Sequence, residues 1–167
     1  MKAWLSRRSN LFLLAVIALV VYQRLPVLRA NLTHEGKEVR SRSLRVLSTT
    51  DARTVEFPPR DSRAMAIFWA SWCGPCKVEM RRLRSSVESG AIPRDAIFAI
   101  NPFESDAEAR KFISENRFPF TFVEASTIAQ ELDIRVTPTT LFLDKGRVEE
   151  LSSGMSLWGI WKAEFYL

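Results

Sequence analysis

The chain has 167 residues and a formal net charge of +5, length enough for one domain with short appendages. That excess lies wholly in the first thirty residues, where Lys2, Arg7, Arg8, Arg24 and Arg29 stand without a single acid; the remainder is balanced. A neutral body argues against nucleic acid as a partner, and two cysteines with one histidine are too few ligands for a zinc site.

In chain order, a basic start over residues 1–10 leads into an unbroken apolar run over residues 11–22. A dozen residues fall short of the roughly 20 that a bilayer requires. Extension to Leu28 reaches a span but takes in Gln23, Arg24 and Pro26, of which Arg24 can snorkel to the interface. Two readings remain, a retained signal anchor and a cleaved signal peptide. Leu28-Arg29-Ala30 is a poor cleavage site, which favours the anchor. In both readings Lys2, Arg7 and Arg8 hold the N-terminus in the cytoplasm and send the rest across the membrane. With no polar face, the run does not suit a helix of a globular core. The expected organisation is therefore a signal anchor or signal peptide over residues 1–30, a polar spacer over 31–43, and one domain over 44–167.

Within that domain, residues 44–49 and 54–57 flank Thr50-Asp51-Ala52-Arg53 as a possible hairpin that Pro58-Pro59 ends. The apolar run over 64–70 predicts a buried central strand. Cys73-Gly74-Pro75-Cys76 follows, and the stretch over 76–89 predicts a helix closed by Gly90 and Pro93. Residues 96–100 read as the next strand, after which Asn101-Pro102 turns and Ser105-Asp106 can cap a helix to about residue 116. A short extended piece over 118–123 is broken by Pro119, and 126–132 reads as a short helix. Residues 139–143 and 147–151 form a hairpin around Asp144-Lys145-Gly146. Residues 155–166 predict a last helix, with Leu157, Trp158, Trp161 and Phe165 on one side as packing residues. Helices between parallel strands, with a terminal hairpin, make an α/β sandwich whose central mixed sheet is flanked by helices.

The two cysteines lie where a strand hands over to a helix. Pro75 suits the first helical turn, where its missing N–H costs nothing. The unpaired amides and positive dipole end then face Cys73 and favour its thiolate, the nucleophile of disulfide exchange. Cys76 can resolve a mixed disulfide. A structural staple is the weaker reading, because a bridge across two residues closes almost no loop entropy. No metal cluster, glycine-rich phosphate loop or serine–histidine pair is evident, so no metal or other cofactor is expected.

Phe-Trp-Ala-Ser-Trp-Cys-Gly-Pro-Cys over residues 68–76 resembles the active-site stretch of the thioredoxin superfamily. Thr137-Pro138-Thr139-Thr140, leading into a strand, resembles its cis-proline loop. The resemblance covers most of residues 44–167. Classical thioredoxin carries a buried aspartate six residues before the first cysteine, and Ile67 stands there instead. Glu79, three residues after Cys76, resembles the glutamate of the membrane-anchored TlpA/ResA-like branch. The N-terminal segment and the insert over 101–124 also resemble that branch, whose members are extracytoplasmic thiol-disulfide oxidoreductases, often reductants in cytochrome c maturation or copper-site assembly. Met80 departs from the pattern where many relatives have a proline one or two positions further on, which should alter a helix kink and not the chemistry.

The resemblance implies that Cys73 is the nucleophile at an exposed helix start, that Cys76 is the more buried resolving cysteine, and that both form the redox disulfide. Cys76, Glu79 and Met80 share a helix face, so Glu79 can exchange a proton with Cys76 and raise the thiol pKa values. The competing reading is a surface glutamate paired with Arg82 or Arg84. Pro138 should be cis, which would offer the backbone of Thr137 to a client strand; an ordinary trans proline is the alternative. Trp72, Pro75, Val136 and Thr137 can form a shallow apolar substrate-binding surface, whereas Trp69 points the other way, into the core. With no histidine after His34, a copper chaperone that needs a distal histidine is disfavoured. The partners implied are a client protein with a disulfide or dithiol, a membrane electron-donor protein, and the membrane itself through the N-terminal segment. A non-catalytic, redox-sensing assembly protein on the same fold is the alternative function.

Overall fold

The computed structural model describes residues 11–19, 21–22, 34–47, 53–124, 127–156 and 159–167. They fall into two compact units, Met1–Thr33 and His34–Leu167. In the first, residues 11–19 and 21–22 are helical and exposed. Among the described residues no helix is long and apolar enough to cross a membrane. The expected boundary near residue 30 lies outside them, as do residues 50–52 of the first hairpin, Ser126, Leu157 and Trp158.

The second unit is built on strands β1 (Arg42–Arg45), β2 (Thr54–Phe57), β3 (Arg63–Phe68), β4 (Ile97–Ile100), β5 (Thr121–Val123), β6 (Thr139–Asp144) and β7 (Arg147–Ser153). Its helices are α1 (Gly74–Glu88), α2 (Asp106–Asn116), α3 (Ile128–Glu131) and α4 (Gly159–Tyr166). Five strands form one sheet in the order β5-β4-β3-β6-β7, while β1 and β2 pair as a separate ribbon. β3 runs parallel to β4 and antiparallel to β6, so the sheet is mixed as expected.

Side chains of β3 alternate between two cores. Met65 and Ile67 join the cluster that holds Cys76, Met80 and Leu83 of α1, Phe112 of α2 and Ile160 of α4. Ala64, Ala66 and Phe68 join the opposite cluster, with Leu44, Phe57 and Ile128. Burial on both faces is why this strand is apolar throughout and does not alternate. The α2 start is a full capping box, with the Ser105 hydroxyl accepting from Glu108 N–H and the Glu108 carboxylate accepting from Ser105 N–H. The β6–β7 turn places Lys145 and Gly146 at φ 50° and 85°, the positive values that a two-residue hairpin loop needs.

Within the stretch expected as a spacer over 31–43, residues 36–39 pair with the start of β7 and Arg42 and Ser43 open β1: Gly36 N–H donates to Val148 O, Val148 N–H to Lys37 O and Val39 N–H to Gly146 O, with Val39 buried. At the other edge Leu47 N–H donates to Phe122 O and Val46 bridges Val123. The polar composition that suggested a tether is compatible with edge pairing, because pairing uses backbone groups and only every second side chain turns inward. β5 is thereby covered, and so is the start of β7.

Two further expectations are corrected. β3 ends at Phe68, two residues short of the expected strand; Trp69 N–H still donates to Ile100 O, and Trp69 and Ala70 both remain fully buried. The described members of the expected aromatic stripe are not core: Trp161 is 60% and Phe165 75% exposed, and Ile160 and Ala163 turn inward instead. Residues 161 and 165, four apart, share the outward face, where their rings meet edge-on at 4.9 Å.

Candidate active site

Strand register gathers the site. Phe68 pairs with Ile100 of β4 on one side and with Thr139 of β6 on the other. The turn after β3, the turn after β4 and the segment before β6 therefore meet at one end of the sheet, where a parallel α/β arrangement places its ligands.

Cys73 and Cys76 form a disulfide, with Sγ atoms 2.00 Å apart and Cα atoms 5.3 Å apart. Cys73 is the N-cap of α1, and its Sγ accepts from Cys76 N–H at 3.1 Å. Pro75 sits in the first turn, as its missing N–H dictates. Cys76 is fully buried, and Cys73 retains only 4% of its surface, less than an exposed helix start implies. The exposed neighbours are Trp72, at 67%, together with Gly74 and Pro75.

Glu79 is fully buried on α1 one turn beyond Cys76, and neither carboxylate oxygen has a hydrogen-bond partner among the described residues. It is not a surface ion-pair residue. Burial pushes its carboxyl up from 4.5 to about 7, against the opposing pull of the Arg82 charge and the nearby Thr140 hydroxyl. That hydroxyl makes no hydrogen bond of good geometry to the carboxyl and has the weaker influence of the two. Thr140 pairs in register with Ile67, the position where thioredoxin carries its aspartate. The helix thus delivers a carboxyl to the patch of sheet from which the strand carboxyl is missing.

The Thr137–Pro138 peptide is cis, as is Phe57–Pro58. Pro138 is buried and Thr137 half-buried, while Val136 is exposed beside them. Thr139 hydroxyl donates to Val136 O at 2.8 Å and Gly154 N–H to Pro138 O at 2.7 Å, which secures this segment to β7. Trp72, Pro75 and Val136 give this end of the sheet its exposed apolar character.

Sequence reasoning missed Glu104. Its Oε2 accepts from Ser71 N–H and from Asn101 Nδ2, both at 2.6 Å, and its Oε1 accepts from the Ser71 hydroxyl. Asn101 is buried and its Oδ1 accepts from Phe103 N–H at 3.1 Å. Burial alone would raise the Glu104 carboxyl, but the Ser71 and Asn101 hydrogen bonds and the Lys77 charge together hold it below the usual range. Its signal in sequence was faint, a carboxylate in the loop after the strand beside the cysteine strand. Among the described residues no group of histidine, cysteine and acidic side chains is placed to hold a metal ion.

Residues 36–151 match the model of the AhpC/TSA family. Sporulation thiol-disulfide oxidoreductase A of Bacillus subtilis (strain 168) is 24% identical over 115 residues, covering 65% of this chain and 70% of the relative. Thiol-disulfide oxidoreductase ResA of the same organism is 24% identical over 158 residues, covering 90% of this chain and 88% of the relative. The crystal structure of StoA from Bacillus subtilis shares the fold with a TM-score of 0.64 at 21% identity, covering 78% of this chain and 98% of that one.

Proposed function

The chain belongs to the AhpC/TSA family and is a thioredoxin-like thiol-disulfide oxidoreductase, and from that premise we propose that it reduces disulfides of client proteins on the extracytoplasmic side of a membrane. The observation that carries the reading is the Cys73–Cys76 pair at the start of α1 with the buried carboxyl of Glu79 one turn away.

In the reduced protein the Cys73 thiolate attacks one sulfur of the client disulfide. A Cys73–client bond forms, and the other client sulfur leaves as a thiolate that water protonates. Cys76 then gives its proton to Glu79 and attacks the Cys73 sulfur. The Cys73–Cys76 bond forms, the second client sulfur leaves, and two electrons have passed from the dithiol to the client. A bridged Cys73–Cys76 pair is the product of that step. A carboxyl near 7 suits the proton transfer, because donor and acceptor forms are both populated at neutral pH. The Glu79 charge also disfavours the thiolates, which stabilises the disulfide relative to the ionised dithiol and makes the pair more reducing. Trp72, Pro75, Thr137 and Pro138 supply the docking surface for the client strand. A membrane electron-donor protein regenerates the dithiol, and the segment over residues 1–30 serves as anchor; cytochrome c maturation is the setting the resemblance implies.

Insulin-disulfide reduction should be lost in Cys73→Ser, whereas Cys76→Ser should accumulate a mixed disulfide that identifies the client by mass. Retained cellular function in Cys73→Ser would instead favour a redox-sensing assembly protein. Carbonate extraction followed by N-terminal sequencing tests the anchor, and a soluble product beginning near Asn31 would overturn it.

A further inference from the structure

We propose that Glu104 is a positioning residue for the dithiol, clamping the Ser71–Cys73 turn so that Cys73 stays seated as the N-cap of α1. The three donors on Glu104 are the Ser71 N–H and Asn101 Nδ2 on Oε2 and the Ser71 hydroxyl on Oε1. Two of these belong to one residue, which lies two positions before Cys73. The turn itself is closed by Cys73 N–H donating to Ala70 O at 3.1 Å, and Ser71 stands inside it. Trp72, the next residue, has most of its surface in solvent and cannot anchor the turn by burial.

Glu104 is held in turn from its own side. It lies between Asn101, which is buried and fixed to Phe103 N–H, and Ser105, the N-cap of α2. The clamp therefore ties the loop after β4 to the loop after β3. It matters for the chemistry because the favourable field at Cys73 depends on the sulfur remaining at the helix end, and that effect fades within one turn.

Geometry and charge make opposite predictions at this site. The charged groups nearby include Glu104 itself, Lys77 in the first turn of α1, and Glu79 and Arg82 further along the same helix. If Glu104 acted only through its charge, removing it would lower the Cys73 thiol pKa. If it acts by positioning, removing the side chain frees Cys73 from the helix end and the pKa rises. Glutamine separates the two. Its amide oxygen can replace Oε2 toward Ser71 N–H and Asn101, while its NH₂ donates to the Ser71 hydroxyl, which accepts as readily as it donates.

The proposal rests on Cys73 being the nucleophile. Its test is a pH series of iodoacetamide alkylation of the reduced protein, on wild type, Glu104→Ala and Glu104→Gln, with insulin reduction measured alongside. The alanine variant should show a raised Cys73 midpoint, with alkylation below the midpoint slowed about tenfold per unit of rise, because only the thiolate reacts. The glutamine variant should show a midpoint no higher than wild type and retain insulin reduction. A Cys73 midpoint at or below wild type in Glu104→Ala, or an equal rise in both variants, overturns the clamp. Should Glu104→Ala fail to fold, Ser71→Ala removes the Oε1 contact alone, and an unshifted Cys73 midpoint there overturns it as well. Absence of insulin reduction in wild type would defeat the oxidoreductase reading while leaving the alkylation comparison decisive for the clamp.

Discussion

Replacing Glu79 by glutamine should abolish a pH-dependent loss of stability in the oxidised protein. The carboxyl is fully buried without a hydrogen-bond partner among the described residues, and burial raises it from 4.5 to about 7. Between those values the folded protein keeps a proton that the unfolded chain has released. The stabilisation is therefore fully present below the unfolded value of 4.5 and is lost as pH rises to about 7, where the folded carboxyl ionises. At 1.36 kcal/mol per unit, this shift corresponds to about 3 kcal/mol at most. Glutamine is neutral throughout, so the variant should match wild type near the acid end and exceed it by about 2–3 kcal/mol at mildly alkaline pH. The assay is guanidinium unfolding of the disulfide-closed proteins across a pH series, where no thiol titrates to confuse the comparison. A stability difference that stays constant across the series would refute the reasoning. In the reduced protein the same substitution should lower the thiol pKa values and raise the reduction potential, by roughly 30 mV per thiol unit if fully expressed. Redox titration against glutathione reads this directly.

Thr140→Val should raise the Glu79 carboxyl further, since the hydroxyl opposes the shift, and the same pH series should show the loss of stability displaced to higher pH. Met80→Ala opens a cavity beneath the cysteines at a fully buried position and should cost about 2–5 kcal/mol in guanidinium unfolding. Gly146→Ala sets a Cβ at φ +85° and 3.4 Å from Val39 O, so thermal unfolding should fall by the equivalent of about 1 kcal/mol or more. Compared with a protein that begins at His34, one that begins at Ser41 leaves the start of the β7 edge uncovered, and size-exclusion chromatography should then show more self-association in the shorter protein.

The chemistry-bearing part of the chain was largely legible from its residues. A wholly apolar run followed by Cys-Gly-Pro-Cys reads as a buried strand running into a helix start, because the run has no polar face and Pro75 is tolerated in a first turn. The β6–β7 hairpin was equally plain, since Lys145-Gly146 supplies the positive φ pair its turn demands. Less legible were features whose cause is another segment of chain. The polar stretch over 36–39 pairs through its backbone, and its composition therefore hides its place on β7. The α4 aromatics looked like a core stripe, but which helix face turns inward is decided by what it meets, and Ile160 and Ala163 meet the core.

Spacing along a helix was enough to bring Glu79 to the same face as Cys76. Spacing could not determine whether that face meets water or the sheet, and hence whether the carboxyl is an ordinary acid or one near 7. Tertiary structure decided this by laying α1 over Ile67 and Thr140, where desolvation outweighs the Arg82 charge. It likewise decided Glu104, whose three donors come from Ser71 and Asn101. Ser71 is brought within reach only by the parallel register of β3 and β4. Local sequence determines conformation and reactive chemistry because both depend on neighbours along the chain. The environment that sets a pKa or fixes a loop depends on neighbours in space.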